Sequence, residues 1–338
     1  MKREKLKRGK LIGTTLMLLV LLSTSILGCS TANTKQAANS STVETTDSVD
    51  KSVEGTSKEE QGGRSYTDYR NHTVTLPAKP QRVIFAGETT GDLVELSIQP
   101  VGIFKDTVSG SLYADQLVDV EDIGFPINLE KVLALNPDLI LVGNTDEAAY
   151  QKLTEIAPTV MYNTFGTLEE RMNELGLIFD KKQEVSQWLT EYNTQVTAMW
   201  AQLHQAGVKE GETASVFTYY PGDRLFVMAI AGLPQLLYSE GGFKPTSGIQ
   251  EILNAKEGFR QISLEAIKEL AGDRIFILDP VAEEAKKSTE DLMNNGVWAT
   301  LPAVKKGQVY RVEIEKSSAD AYTRREMLKE LPKLLKVK

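Results

Sequence analysis

The stretch from Ile127 to Val142, INLEKVLALNPDLILV, changes its hydrophobic pattern halfway along. The first half spaces apolar residues in helical steps; the second ends in the unbroken run LILV. A short helix is predicted, with Asn128 placed to cap it and Glu130 putting a negative charge in its first turn. Pro137 ends that helix, and Leu139 to Val142 reads as a strand buried on both faces, as in a parallel sheet. The pattern returns without a gap 135 residues later, in ISLEAIKELAGDRIFI, Ile262 to Ile277, with six of 16 positions identical. Ser263 replaces Asn128, Glu265 matches Glu130, and Gly272-Asp273 matches Pro137-Asp138. A cap, a charge, a stop and a strand written twice predict two similar lobes.

The rest of the pattern fills in those lobes. Apolar strands are predicted at Arg82 to Ala86, Pro100 to Phe104 and Thr159 to Tyr162, alternating with helices after Gly91 and near Asp146 to Ala157. Leu168 to about Gln205 is helical in pattern almost throughout, with a break near Asp180-Lys181-Lys182. Beyond the break, Trp188, Leu189, Tyr192, Val196, Met199, Trp200 and Leu203 recur at three- and four-residue steps. That helix would run about 35 Å at 1.5 Å per residue, a spine between two α/β units. The second unit opens with the alternating strand Thr213 to Tyr220, a turn at Pro221-Gly222-Asp223 and a returning strand Arg224 to Ile230. Helices near 233–241, 248–255 and 282–294, a strand at Gln308 to Val312 and a terminal helix complete it. The fold class is α/β: two Rossmann-like lobes with mainly parallel sheets, joined by one long rigid helix.

Composition changes the picture at the N-terminus. MKREKLKRGK is a basic n-region, and Leu11 to Leu27 an apolar h-region ending in Gly28-Cys29. Cys29 is the only cysteine, which excludes an intramolecular disulfide. Residues 30–64 are rich in Ser, Thr, Glu and Lys and contain no aromatic residue, so they cannot bury enough surface to fold. The expected organisation is a signal peptide at 1–28, a tether at 29–64, a first lobe at 65–180, a connecting helix at 181–207 and a second lobe at 208–338. Without residues 1–28 the chain carries 32 basic and 45 acidic residues, near −13, against −8 for the whole. So acidic a surface excludes nucleic acid as a partner. No GxSxG, GxxxxGK[ST] or HExxH motif occurs, so no enzyme is expected. Direct capture of zinc or manganese needs several His ligands, and only His72 and His204 exist. No cofactor is expected.

Taken in order, the Gly28-Cys29 junction, PAKPQRVI, QPVGI, GFPINLEKVLALNPDLIL, the long mid-chain helix, GFRQISLEAIKEL, WATLPAVKKGQVY and TRREMLKELPKLL resemble a known family. It is that of the substrate-binding lipoproteins of ABC importers for iron-siderophores, haem and cobalamin. The resemblance covers about Tyr66 to the C-terminus. It implies cleavage before Cys29 and attachment of lipid (palmitate) there, on the outer face of the cell membrane of a Gram-positive bacterium. It implies a ligand in the cleft between the lobes, a monomer, and delivery to an ABC permease dimer with its ATPase. One surface glutamate per lobe would dock on permease arginines, at Glu130 and Glu265, by paired carboxylate–guanidinium contacts. The ligand would be a ferric siderophore, of hydroxamate type on overall resemblance, whose own donors hold the iron. Haem, cobalamin and a sensor role without transport remain open. A siderophore site calls for aromatic surface and for Lys or Arg. The candidates are Thr89, Thr90, Lys105 and Tyr113 on the first lobe, with Phe125 beside them. On the second they are Phe217, Tyr219, Tyr220, Arg224, Met228, Arg260, Trp298 and the loop Lys316 to Tyr322. Phe217 and Tyr219 share one face of their strand, Thr218 and Tyr220 the other, and only one face can line a cleft.

Overall fold

A computed structural model describes residues 63–335. Cys29, the predicted leader and the predicted tether up to residue 62 lie outside them. The chain is already in a strand at Arg64. There β1 (Arg64–Thr67) pairs antiparallel with β2 (Thr73–Leu76). The first lobe is then built on β3 (Val83–Ala86), β4 (Gly102–Ile103), β5 (Glu121–Asp122), β6 (Leu139–Val142) and β7 (Thr159–Met161), in the order β5-β4-β3-β6-β7. Every pairing in this sheet is parallel. The second lobe holds β8 (Thr213–Tyr220), β9 (Arg224–Met228), β10 (Lys244–Pro245), β11 (Phe259–Ile262), β12 (Arg274–Asp279) and β13 (Val309–Glu313). Its order is β11-β9-β8-β12-β13, with β10 also on β8. Here β8, β10, β12 and β13 pair in parallel, while β9 runs against them and pairs antiparallel with both β8 and β11. The second sheet is therefore mixed. The cause is the Pro221–Asp223 turn, where Gly222 and Asp223 take left-handed φ of 80° and 55° and fold β9 straight back on β8.

The duplicated stretch occupies equivalent places in the two sheets. Asn128 accepts from the backbone N–H groups of Glu130 and Lys131 at 3.0 and 3.1 Å and caps the helix Leu129–Ala134. The second copy is shorter: its helix is Ile267–Leu270, and the Ser263 hydroxyl accepts from the Ala266 N–H at 3.4 Å. The paired aspartates have a structural job that the repeat alone did not disclose. Asp138 receives the N–H groups of Gln81 and Arg82, and Asp273 receives the N–H and hydroxyl of Thr213. Each carboxylate thus ties the start of its own strand to the start of the parallel neighbour.

A capping box between Thr167 and Glu170 opens the helix Leu168–Ile178. Asp180, at φ 57°, breaks the chain before the 24-residue helix Lys182–Gln205, about 36 Å long. The two helices pack closely at Gly176, where a methyl group would come within 3.1 Å of Val185. Leu189, Tyr192, Val196, Met199, Trp200 and Leu203 form the buried stripe of the connecting helix. One continuous core runs from Phe85 and Leu141 through that stripe to Val216, Phe276 and Leu278. A smaller core closes the far face of each sheet.

The terminal helix, Ala321–Leu334, leaves the second lobe to which residues 208–338 were allotted. It packs on the short helix Gly91–Glu95 and on the connecting helix. Asp92 anchors the crossing. It is fully buried, accepts from Arg171 Nε at 2.8 Å, from the Tyr162 hydroxyl at 3.2 Å and from the Ala321 N–H at 2.7 Å. Arg171 is also fully buried and donates to the carbonyl oxygens of Gly166 and Ala319. Arg324 donates to Tyr192 and Gln235, and Arg325 pairs with Glu95. The terminal helix is a strap from the second lobe back to the first.

Candidate functional site

Ligands of open α/β sheets sit in the crevice outside the carboxyl ends of the strands. In this chain those ends face a cavity of about 390 Å³ between the lobes, within the usual range of roughly 300–1,000 Å³ for small-molecule sites. Glu88 and Thr89 reach it from the end of β3, Thr164 and Phe165 from the end of β7, and Leu278 from β12. The segment Ile314 to Ala319 after β13 and the first-lobe loop at Thr107 to Tyr113 close its sides.

Register decides which face of the second sheet is presented. Met228 lies opposite both Val216 and Phe259, Phe226 opposite Thr218 and Gln261, and Arg224 opposite Tyr220. Cross-strand partners share a face. Since Met228, Phe259 and Leu278 line the cavity, the cleft side is that of Thr218 and Tyr220. Tyr220, Phe226 and Phe259 form an edge-to-face row along it, with centroid separations of 6.1 and 5.8 Å. Phe259 and, from the other lobe, Phe165 keep 48% and 38% of their surface exposed. Phe165 rests against Gly258, where a β-carbon would lie 3.0 Å from its ring. Two large rings therefore face solvent at the seam of the lobes, which is unusual unless something binds there.

Of the residues expected at the site, Thr89, Tyr113, Met228 and part of the 316–322 loop line this cavity. Thr89 is 3% exposed and its hydroxyl has no partner among the described residues. Tyr113 is buried beside Tyr322, edge to face at 5.6 Å, and burial holds its hydroxyl well above the usual tyrosine range. Tyr322 itself lies outside the cavity, in a groove with Arg311 and Lys316. Thr90 is fully buried at the start of Gly91–Glu95 and does not line it. Phe217 and Trp298 are corrected to core residues, because the odd-numbered face of β8 packs inward and Trp298 packs with it. Tyr219 packs against that core and donates to Asp223 at 2.7 Å. Tyr220 and Arg224 share the cleft-side face but stand at the hairpin end, with the guanidinium 5.5 Å over the ring. Lys105 turns away: its Nζ donates to the carbonyls of Val118 and Val120 at 2.6 and 3.0 Å. Arg260 pairs with Glu257 on the face opposite Phe259. Phe125, 76% exposed, meets Phe104 edge to face outside the cavity. The expected Lys and Arg are thus absent from the lining, which carries the carboxylates Glu88 and Glu315 instead.

Glu88, Phe165, Phe259 and Glu315 were not singled out in the sequence. Phe165 and Glu88 stood in polar loops directly after predicted strands, which is a usable signal. Phe259 was hidden because β11 was not predicted. A second groove, of about 740 Å³, lies against Leu189, Tyr192 and Asn193 of the connecting helix. Several of its polar groups are bonded within the protein: Thr167 with Glu170, Arg324 with Tyr192 and Gln235, and Ser239 with Trp200 behind it. The cavity at the strand ends leaves its hydroxyls open at Thr89 and Ser111.

His72 is held by Asp68 and Glu147, at 3.0 and 3.2 Å, and stacks on Tyr150. His204 lies between the carbonyls of Val208 and Gly241. Among the described residues no group of three or more His, Cys, Asp or Glu is placed to hold a metal, and no helix is long and apolar enough to cross a membrane. Glu130 and Glu265 are both exposed. The carboxyl of Glu265 is held below the usual glutamate range by its own backbone N–H and by Ser263.

Known proteins share this arrangement. The iron(3+)-hydroxamate-binding protein YxeB of Bacillus subtilis (strain 168) is 28% identical over 298 residues, 87% of this chain and 86% of that protein. The FhuD protein from S. pseudintermedius superposes with a TM-score of 0.71 at 25% identity, covering 80% of this chain and 97% of that one. FhuD2 from Staphylococcus aureus with bound ferrioxamine B gives 0.67 at 27% identity, covering 76% and 98%. The periplasmic binding protein model matches residues 84–314, which hold both sheets and the helix between them. With two lobes, one connecting helix and a cavity at the strand ends, the chain belongs to the periplasmic binding protein family.

Proposed function

We propose that this protein captures a ferric siderophore of hydroxamate type in the cavity between its lobes and delivers it to a membrane ABC permease for iron uptake. The observation that carries this reading is the cavity itself. It joins exposed Phe165 and Phe259 to the unpaired hydroxyls of Thr89 and Ser111, across two lobes. A siderophore offers wide apolar faces and polar oxygens, and its own donors hold the iron. The protein then has only to supply aromatic surface and hydrogen bonds. The names of the relatives, iron(3+)-hydroxamate binding and bound ferrioxamine B, support the ligand class.

The finer parts of the reading rest on the sequence. Glu130 and Glu265 dock on arginines of a permease dimer driven by its ATPase; their exposure on two lobes supports this. Cys29 carries the palmitate-type lipid anchor, and the following tether lets a monomer work at the outer face of the cell membrane of a Gram-positive cell. Titration of the purified chain with ferric hydroxamates, ferric catecholates, ferric citrate, haem and cobalamin, followed by calorimetry, tests the function. Saturable binding of a ferric hydroxamate is expected. Binding of haem or cobalamin alone, or of nothing, overturns the siderophore reading.

A further inference from the structure

Among the described residues, the cavity wall carries negative charge and no positive charge. Glu88 lies at the end of β3, and among the described residues its two carboxylate oxygens accept only from the neutral Asn144 amide, both at 3.1 Å. Glu315 enters from the opposite lobe, and its carboxylate is seated on Gly110, where any side chain would collide with it. No ion pair to Glu88 or Glu315 occurs among the described residues. The nearby cations are spent elsewhere: Lys316 on Glu313, and Lys105 on backbone carbonyls. The same cavity is lined by Thr89, whose buried hydroxyl has no partner among the described residues, and by the exposed rings of Phe165 and Phe259. An unpaired buried hydroxyl awaits a partner in the ligand, and aromatic faces attract cations.

From this we infer that Glu88 and Glu315 make the site selective for the charge of its cargo. The preferred ligand is a ferric hydroxamate complex bearing a free ammonium group, and anionic ferric complexes are repelled. The inference rests on the functional reading above and deepens it. Two carboxylates facing one cavity disfavour any third negative charge, whatever the iron-chelating group. The acidic balance of the whole chain adds the same sign at long range.

The test is a charge series on one chelator. Ferrioxamine B carries a terminal amine; acetylation makes the complex neutral, and succinylation makes it anionic. Calorimetric titration at low salt should rank the three in that order, with about a tenfold step from cationic to neutral, the scale of one charge pair at intermediate dielectric. The steps should shrink as salt is added. In the double variant Glu88→Gln/Glu315→Gln the ratio of cationic to neutral affinity should fall towards one; Gln keeps the size and removes the charge. Equal affinities in the wild-type chain, or an unchanged ratio in the double variant, would overturn the charge inference and leave the hydroxamate reading standing. A blank for all three complexes removes both.

Discussion

Single side chains decide more here than their types suggest. Asp92 and Arg171, both fully buried, hold three segments far apart in sequence. Removing one partner of such a pair strands the other, at a cost of about 3–5 kcal/mol. Asp92→Ala should therefore lower the urea midpoint sharply, and adding Arg171→Leu should recover part of the loss. A double variant no better than Asp92→Ala would show that the pair is not coupled. Glu174 offers a titration. Burial lifts its carboxyl to about 7 from 4.5; the Tyr66 hydroxyl bonded to it opposes the shift, and Asp68 adds to it. Between about 4.5 and 7 the folded chain keeps a proton that the unfolded chain gives up, so stability falls as pH rises through that window. Glu174→Gln should flatten the midpoint-against-pH curve there, and an unchanged slope would refute the assignment. At this scale the sequence was legible where chemistry is local. Asn128 announced its cap through a spacing of two and three residues. Asp92 gave no signal, because its partners lie 79 and 229 residues away.

Elements were more legible than their edges. Leu139–Val142 and Thr213–Tyr220 stand where their patterns put them, and the connecting helix, expected at 181–207, runs from Lys182 to Gln205. Propensity and periodicity act within each segment, so they survive without tertiary knowledge. The short strand β11 was not legible, since pairing with β9 creates it, and the terminal helix Ala321–Leu334 was legible as a helix but not as a strap docked on the first lobe. The face of β8 that lines the cleft was equally hidden: alternation offered two sets, and only the register with β9 and β12 chooses one. That choice separates two substitutions. Phe217→Ala, in the core, should cost about 3–5 kcal/mol of stability while the folded fraction still binds ligand. Phe259→Ala, at the cavity, should leave the thermal midpoint nearly unchanged and weaken siderophore binding about tenfold or more, as loss of a large aromatic anchor does at other interfaces. If Phe217→Ala lost affinity without losing stability, the two faces of the strand would have been exchanged.

At the scale of the whole molecule the lobes, the connecting helix and the strap share one continuous core, with Asp92 and Arg171 buried where the strap crosses. Large hinge motion would break that core, so small lobe adjustments around a largely preformed cavity are expected. Glu130 and Glu265, one per lobe, would then present a fixed spacing to the proposed permease. Charge reversal at both, Glu130→Lys and Glu265→Lys, should abolish siderophore uptake in cells while calorimetric affinity for the ligand stays within about twofold, since rim charges away from a site contribute little to it. Undiminished uptake would remove the docking role. The central claim, that an iron complex sits at the strand ends between Phe165 and Phe259, is open to one direct measurement: anomalous diffraction at the iron edge from crystals grown with a ferric hydroxamate. The account predicts a single iron peak in the cavity bounded by Phe165, Met228, Phe259 and Tyr113. A peak in the groove against Tyr192 and Asn193, or no peak between the lobes, would contradict it.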